Sequence, residues 1–296
     1  MEAARRLGVR WTIGDVSERG YEALRLSIWG AWKVFGPDAA YAVCVNTMPL
    51  ARARERTGPL PEGVIWHDAT NEIPAFLRPH LEAGMAEGVA WKFAPLQFFP
   101  DRFELSLDND CILWDAPAAI RQWLVAADPQ TCVVAEDVVA CFGQFAALCG
   151  PEPRNGGIRG LPPGFDYEAA LTAVLREHPV LMTSELDEQG LQTATLRRFL
   201  KPLVVTVEEV TICSPFPPHL PYLGRCGAHF CGLNARSLPW SLAGRPATDY
   251  IEENWQRLKA EVSRRVAPPA GAGLTSRGTR VAGTSTDGRK EPQVTP

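Results

Sequence analysis

No stretch of this 296-residue chain approaches the ~20 consecutive apolar residues that a membrane-spanning helix requires. Its most apolar region, Thr131 to Cys149, is interrupted by Glu136, Asp137 and Gln144. The opening residues, MEAARRLGVRWTIGD, carry arginines but no apolar run of signal-peptide length. These absences lead to the expectation of a cytoplasmic protein with no transmembrane segment. Charge of one sign is lacking too: 30 basic residues stand against 34 acidic ones, a formal net charge of -4. That balance creates no broad positive field for a phosphate backbone, so no nucleic-acid partner is expected. Eight cysteines do not make a disulfide scaffold in a chain this long. Cys44, Cys111 and Cys132 sit inside apolar runs, where a thiol acts as a small hydrophobe. Cys226, His229 and Cys231, with Cys213 upstream, lack the paired C-x-x-C spacing of structural zinc sites, and reduced thiols are expected.

The apolar content, 46%, suffices for one large α/β domain or two small ones. Short apolar runs alternate with helical patterns, which predicts a mostly parallel central sheet flanked by helices. The candidate strands are 9–13, 40–46, 63–67, 103–107, 131–135 and 203–212. The candidate helices are 20–34, 73–87, 116–125, 167–177 and 188–199. A last helix is read from Ile251, Trp255, Leu258 and Val262, with Thr248 or Asp249 at its start. From Ala267 the chain turns rich in Gly, Pro, Ser and Thr, so residues 267–296 are expected to form a disordered tail behind a single domain, 1–266. Ligands in such folds bind at the carboxyl ends of strands, so polar residues just after apolar runs are the ones to weigh.

Asp108-Asn109-Asp110 follows the alternating run Phe103-Glu104-Leu105-Ser106-Leu107 and precedes Cys111-Ile112-Leu113-Trp114. Two carboxylates one residue apart at a strand end can point into one crevice, ionised at neutral pH with a reference pKa of ~3.9. Held in a semi-buried place they call for a compensating hard divalent cation, Mn²⁺ or Mg²⁺. The alternative is a solvated acidic turn, against which stands the absence of Gly or Pro. Lys92, between Trp91 and Phe93, reads either as a surface charge or as a covered ammonium beside a leaving group. Thr12, Asp15 and Tyr21 follow the first strand, where nucleotides bind in such folds. His67-Asp68 reads as a satisfied polar pair.

In these residues the chain resembles the retaining, glycogenin-like nucleotide-sugar transferases of glycosyltransferase family 8, in fragments between about Lys92 and Trp240. Lys92 precedes Asp108 at the family's spacing. Asn155-Gly156-Gly157-Ile158 resembles its Asn-small-Gly-Val step. Asp187-Glu188-Gln189-Gly190-Leu191 resembles its Asp-Gln-Gly-Leu motif. His229-Phe230-Cys231-Gly232 resembles its His-Phe-x-Gly. The resemblance implies a single GT-A-like, Rossmann-type α/β domain. It also implies an enzyme that moves a sugar from a nucleotide-diphosphate donor to an acceptor hydroxyl of unspecified kind, with retention. Asp108, Asp110 and His229 would ligate the metal, Lys92 would face the diphosphate, and Asp187 or Glu188, with Gln189, would orient the sugar. Asn155, Gly156, Gly157 and Gly232 would approach the donor, and Trp91 and Trp240 would border it. The chain departs from the pattern where Glu188 replaces an aspartate, and where Pro239-Trp240 follows without a lysine, Arg236 being the nearest cation.

Two other readings stay open. One is a nucleotidyltransferase making nucleotide-sugars, although Gly14-Asp15-Val16-Ser17-Glu18-Arg19-Gly20 is acidic and glycine-poor for its loop. The other is a non-catalytic nucleotide-sugar-binding relative.

Overall fold

The computed structural model of the protein describes residues 6–83 and 90–267. In chain order its first elements are β1 (Leu7–Ile13), α1 (Glu18–Phe35), β2 (Ala40–Val45), α2 (Leu50–Thr57), β3 (Ile65–Asp68), β4 (Phe103–Asp108), β5 (Cys111–Leu113) and α3 (Ala118–Ala126). There follow β6 (Thr131–Glu136), α4 (Ala146–Cys149), β7 (Arg154–Leu161), α5 (Tyr167–Glu177), α6 (Glu185–Phe199) and β8 (Lys201–Val205). The last are β9 (Val210–Ile212), β10 (Gly227–His229), the short pair β11 (Ser241–Leu242) and β12 (Arg245–Pro246), and α7 (Ala247–Val266). The main sheet has seven strands in the order β3-β2-β1-β4-β7-β6-β8, and only β7 runs against its neighbours. The expected mostly parallel α/β sheet is therefore present.

Side chains alternate across a strand, so β1 and β4 each carry two kinds of face. Leu7, Val9, Trp11 and Ile13, with Phe103, Leu105 and Leu107, are buried in one core with Leu24 and Ile28 of α1 and Trp123 of α3. Gly8, Arg10 and Thr12, with Glu104, Ser106 and Asp108, point the other way. Register sets Arg10 beside Ser106, and Ser106 beside Arg159 of β7, with Thr12 beside Asp108 one pleat further on. A polar row thus crosses one face of an otherwise apolar sheet. Its outer cover is a second core, built from α5, α6 and residues such as Phe93, Phe142 and Phe145.

A three-stranded sheet, β5-β10-β9, extends from the turn after β4. Ile251, Trp255, Leu258 and Val262, the stripe read from the sequence, pack α7 onto Ala23 and Leu26 of α1, onto Ile112 and Ala228 of this small sheet and onto Cys213 just after β9. Phe230 meets Trp255 edge-on at 5.0 Å between ring centres, which anchors the chain directly after His229.

Several expectations are corrected. Residues 203–212 are not one strand: β8 and β9 belong to different sheets, separated by the turn at 206–209. Residues 73–83 are not helical beyond the 3₁₀ turn Arg78–His80, because Pro74 and Pro79 lack the N–H a helix needs; residues 84–87 of that expected helix lie outside the described residues. Helix α7 starts at Ala247 behind Pro246, ahead of both expected caps. Asn155-Gly156-Gly157 lies within β7. Of the expected tail, all but Ala267 lies outside the described residues. None of the eight cysteines is in a disulfide. No helix among the described residues is long and apolar enough to cross a membrane.

Candidate active site

Three chain segments meet at the carboxyl end of β4. Asp108 is its last residue, and Asn109 and Asp110 turn the chain into β5. Strand β10 pairs antiparallel with β5, setting His229 opposite Cys111, and Phe230 N donates to Asp110 O at 2.9 Å. His229 Nε2 consequently lies 3.3 Å from Asp110 Oδ1 and 3.6 Å from Asp108 Oδ2. One ligand atom from each of Asp108, Asp110 and His229 falls within 4.8 Å of the others, the one group of metal-ligating residues among those described to do so. Two carboxylate oxygens and an imidazole nitrogen suit a divalent cation such as Mn²⁺ or Mg²⁺. Burial works against a charged His229, but Cys231 and Asp110 outweigh it and raise its pKa well above the ordinary value.

Lys92 arrives from a 3₁₀ turn, Ala90–Phe93. Its Nζ is 3.0 Å from Asp108 Oδ2 and 3.5 Å from Glu188 Oε2. Burial opposes its charge, while Asp108 and Glu188 hold it protonated well above the usual lysine range. A metal ligand must be a neutral imidazole, so with an ion in place the proton of His229 would leave and Lys92 would be the cation that this cluster sets against its carboxyl groups.

The adjacent acids on α6 have different surroundings. Asp187 accepts from Gln144 N at 2.8 Å, Thr183 N at 2.7 Å and Ser184 N at 3.2 Å, ending the loop before the helix. Burial works against its charge, yet the donated hydrogen bonds win and its pKa is lowered. Glu188, 2% exposed, faces Lys92 instead, and its Oε1 has no hydrogen-bond partner among the described residues. Burial pushes its carboxyl up to about 7, against the pull of Lys92. Gln189 is held at both ends of its amide: Oε1 accepts from Gly156 N and Nε2 donates to Cys141 O, each at 2.8 Å.

The ladder between β6 and β7 jumps from Val134–Arg159 to Ala135–Asn155, so residues 156–158 bulge from it. Bulges of this kind re-aim a strand locally. Asn155 steadies this one, accepting from Gly157 N at 2.8 Å and donating to Asp137 Oδ2 at 2.9 Å. A Cβ on Gly157 would lie 2.5 Å from the imidazole of His229, and one on Gly156 would lie 3.4 Å from Lys92 Nζ. The missing side chains make room for the histidine and the lysine.

In front of these residues opens a cleft of about 520 Å³. Thr12, Ile13, Gly14, Asp15 and Val16 line it, with Trp91, Lys92, Asp108, Asn109, Glu185, Glu188, Asn234 and Ala235. Asp15 is held by Arg56 at 2.8 Å and by Arg236 at 2.6 Å, and the hydrogen bond from Arg236 is the first cause of its lowered pKa. Tyr21 does not line the cleft; its hydroxyl donates to Gly14 O at 2.7 Å from underneath. Gly232 stands outside the lining as well, in a turn at φ 90° packed on Ile251 of α7. Trp240 is 45% exposed and stacks edge-on with Phe216 at 4.6 Å, also away from the lining. His67 bonds Glu72 at 2.8 Å and Asp68 caps Thr70 N at 3.1 Å, as a satisfied polar pair.

Sequence reasoning assigned no role to Asn109 and Asn234. Their amides bond each other reciprocally at 2.7 and 2.9 Å, and Asn109 Nδ2 also reaches Gly20 O at 3.0 Å. The middle residue of the acidic triplet was in view; only the fold reveals its partner.

No family model matches the sequence, and no curated protein does. Among solved structures, the galactosyltransferase LgtC in complex with donor and acceptor sugar analogs superposes with a TM-score of 0.51 over 86% of this chain and 95% of that one, at 13% identity. An active-site mutant of LgtC gives 0.52 at the same identity and coverage. This chain has the fold of LgtC. That is the GT-A arrangement implied by the sequence motifs, and it covers nearly the whole length of the galactosyltransferase.

Proposed function

We propose that the protein is a metal-dependent glycosyltransferase, moving a sugar from a nucleotide-diphosphate donor to an acceptor hydroxyl. One observation carries the reading: His229, distant in sequence, meets the neighbouring Asp108 and Asp110 beside Lys92, where Asp108 and Lys92 line a cleft, on the fold of LgtC. The two carboxylates and neutral His229 would hold Mn²⁺ or Mg²⁺, whose charge stabilises a departing diphosphate by several kcal/mol in sites of this type. Lys92 adds a fixed positive charge on the same side of the cleft. Thr12 and Asp15 border the nucleotide, and Arg236, on Asp15, replaces the cation expected from lysine.

Glu188, rather than Asp187, is the acid that meets the donor sugar. Its free Oε1 can accept from a sugar hydroxyl, whereas Asp187 is committed to the loop before α6. Gln189 and Asn155 shape the bulge that keeps Gly156 and Gly157 close to the metal ligands. Retention at the anomeric carbon is the outcome that the family resemblance implies.

The test is a panel of nucleotide-sugars incubated with Mn²⁺, reading released nucleoside diphosphate and the anomeric configuration of the product by NMR. Slow donor hydrolysis or transfer, abolished by EDTA, is expected. Diphosphate release from a nucleoside triphosphate instead, or binding of every donor without turnover, would overturn the proposal.

A further inference from the structure

Lys92 sits on a short 3₁₀ turn that belongs to no sheet, so something else must fix where its ammonium points. Arg10 and Glu104 do so from beneath. Their side chains are 0% and 1% exposed, and Arg10 Nε lies 2.9 Å from Glu104 Oε1. Arg10 Nη2 donates to Lys92 O at 3.2 Å and to Leu96 O at 3.3 Å. Glu104 Oε2 accepts from Phe98 N at 2.5 Å and Phe99 N at 2.7 Å. One ion pair therefore holds four backbone groups of the segment that bears Lys92. A third arm, Arg10 Nη1, reaches Thr12 Oγ1 at 3.5 Å, on the cleft wall.

Such a pair is a poor way to stabilise a fold, since apolar side chains of similar size often do as well. What it offers here is placement. A lysine has a flexible four-carbon stem, so its reach toward both Asp108 and Glu188 depends on where its backbone is held.

We infer that Arg10 and Glu104 are positioning residues that act through Lys92, setting both the turnover of the site and its affinity for a divalent cation without touching either ligand. The turnover half of this rests on the donor-site reading above; the cation half does not.

The experiment measures donor turnover, Mn²⁺ binding by electron paramagnetic resonance, and melting temperature in the full chain and its variants. The variants are Arg10→Lys, the apolar pair Arg10→Met with Glu104→Leu, Lys92→Met, and Arg10→Lys combined with Lys92→Met. Arg10→Lys keeps the charge but loses the second arm. It should melt near the wild type yet lose about 10–100-fold in turnover, the effect of an ångström-scale misplacement. Mn²⁺ should bind it about two- to fivefold tighter, because the ammonium competing for Asp108 has moved away. The apolar pair should do the same. In the Lys92→Met background, Arg10→Lys should change neither reading. Additive losses there would overturn the inference, as would wild-type readings in a folded apolar pair, or unfolding of both Arg10 variants, which would make the pair a support of the whole sheet. A wild type inert toward every donor, but with the expected Mn²⁺ pattern, would remove the enzymatic reading and leave the clamp standing.

Discussion

Two charged clusters meet along β4, two pleats apart from Glu104 to Asp108, and they differ in how they close. Arg10 and Glu104 close on each other and on backbone groups, with almost no exposure. Asp108, Asp110 and His229 do not close: two acids share one imidazole and one borrowed ammonium at a cleft. The first cluster is complete within the chain. The second opens on the cleft through Asp108 and Lys92 and offers two carboxylates and an imidazole within reach of one another, which is what a site for a cation and an anionic ligand needs. Burial alone does not mark a functional charge; groups left open to a ligand do.

The comparison breaks first at Asp110. Asp110→Asn should lower turnover by about 10³-fold, the equivalent of several kcal/mol of lost metal assistance. The variant should stay folded, since the loss of the His229 partner is offset by the removal of one of two like charges. Excess EDTA should reduce the wild type to the same level. Full activity in EDTA would place the open cluster in the same structural class as the closed one.

His229 sharpens it next. His229→Ala should weaken Mn²⁺ binding by at least about tenfold, and Gly157→Ala should do likewise by pushing a methyl group into the imidazole. The metal-free protein holds a proton on His229 to a pH well above the ordinary value. Metal binding should therefore release a proton and weaken as pH falls, which calorimetry in buffers of different ionisation enthalpy would detect. A Gly157→Ala protein with unchanged affinity would show that the ring has another place to go.

The neighbours on α6 give opposite pH signatures. In the metal-free protein Glu188 holds its proton up to about 7, against 4.5 ordinarily, so the folded state binds that proton more tightly than the unfolded chain. Stability then falls as pH rises from about 4.5 to about 7, by roughly 3 kcal/mol at most. Glu188→Gln should melt higher than the wild type at pH 8, with the difference gone near pH 4. Asp187 has the lowered pKa, so its contribution is present above about 3.9 and lost as pH falls below. Asp187→Asn should cost about 1–2 kcal/mol at neutral pH, because backbone N–H donors lose a carboxylate acceptor. Melting curves of the two variants across pH that ran parallel would erase the distinction between them.

The smallest effect is expected at the end of the chain. Truncation after Val266, which completes the buried stripe of α7, should leave melting within ~2 °C and turnover unchanged, since the composition beyond it cannot form a core.

The parallel strands and the α7 stripe were legible because a period of two or of 3.6 is local. The same alternation placed Asp108 at a strand end. His229 was legible only through its likeness to a known motif, for nothing near it in sequence mentions an acid. The division of labour between Asp187 and Glu188 was not legible, since it depends on Gln144 and Thr183 folding back over the helix start. Nor was the Arg10–Glu104 pair, which looks in sequence like two charges in two strands. The bulge in β7 was hidden because a glycine pair in sequence does not name the histidine that needs the space beside it.

The metal triad is divided between the β4–β5 turn and β10, and β10 is held by β5, by β9 and, through Phe230, by Trp255 of α7. This has a consequence for the order of events in folding. Contacts of such wide sequence separation form late, because the loop they close is long. A nascent chain that has produced the two acids has no third ligand until the stretch from β10 to α7 has emerged and docked. Cation capture is therefore tied to the last of the described elements to be synthesised, and a chain that stalls before β10 exposes an acidic turn with no histidine to complete it.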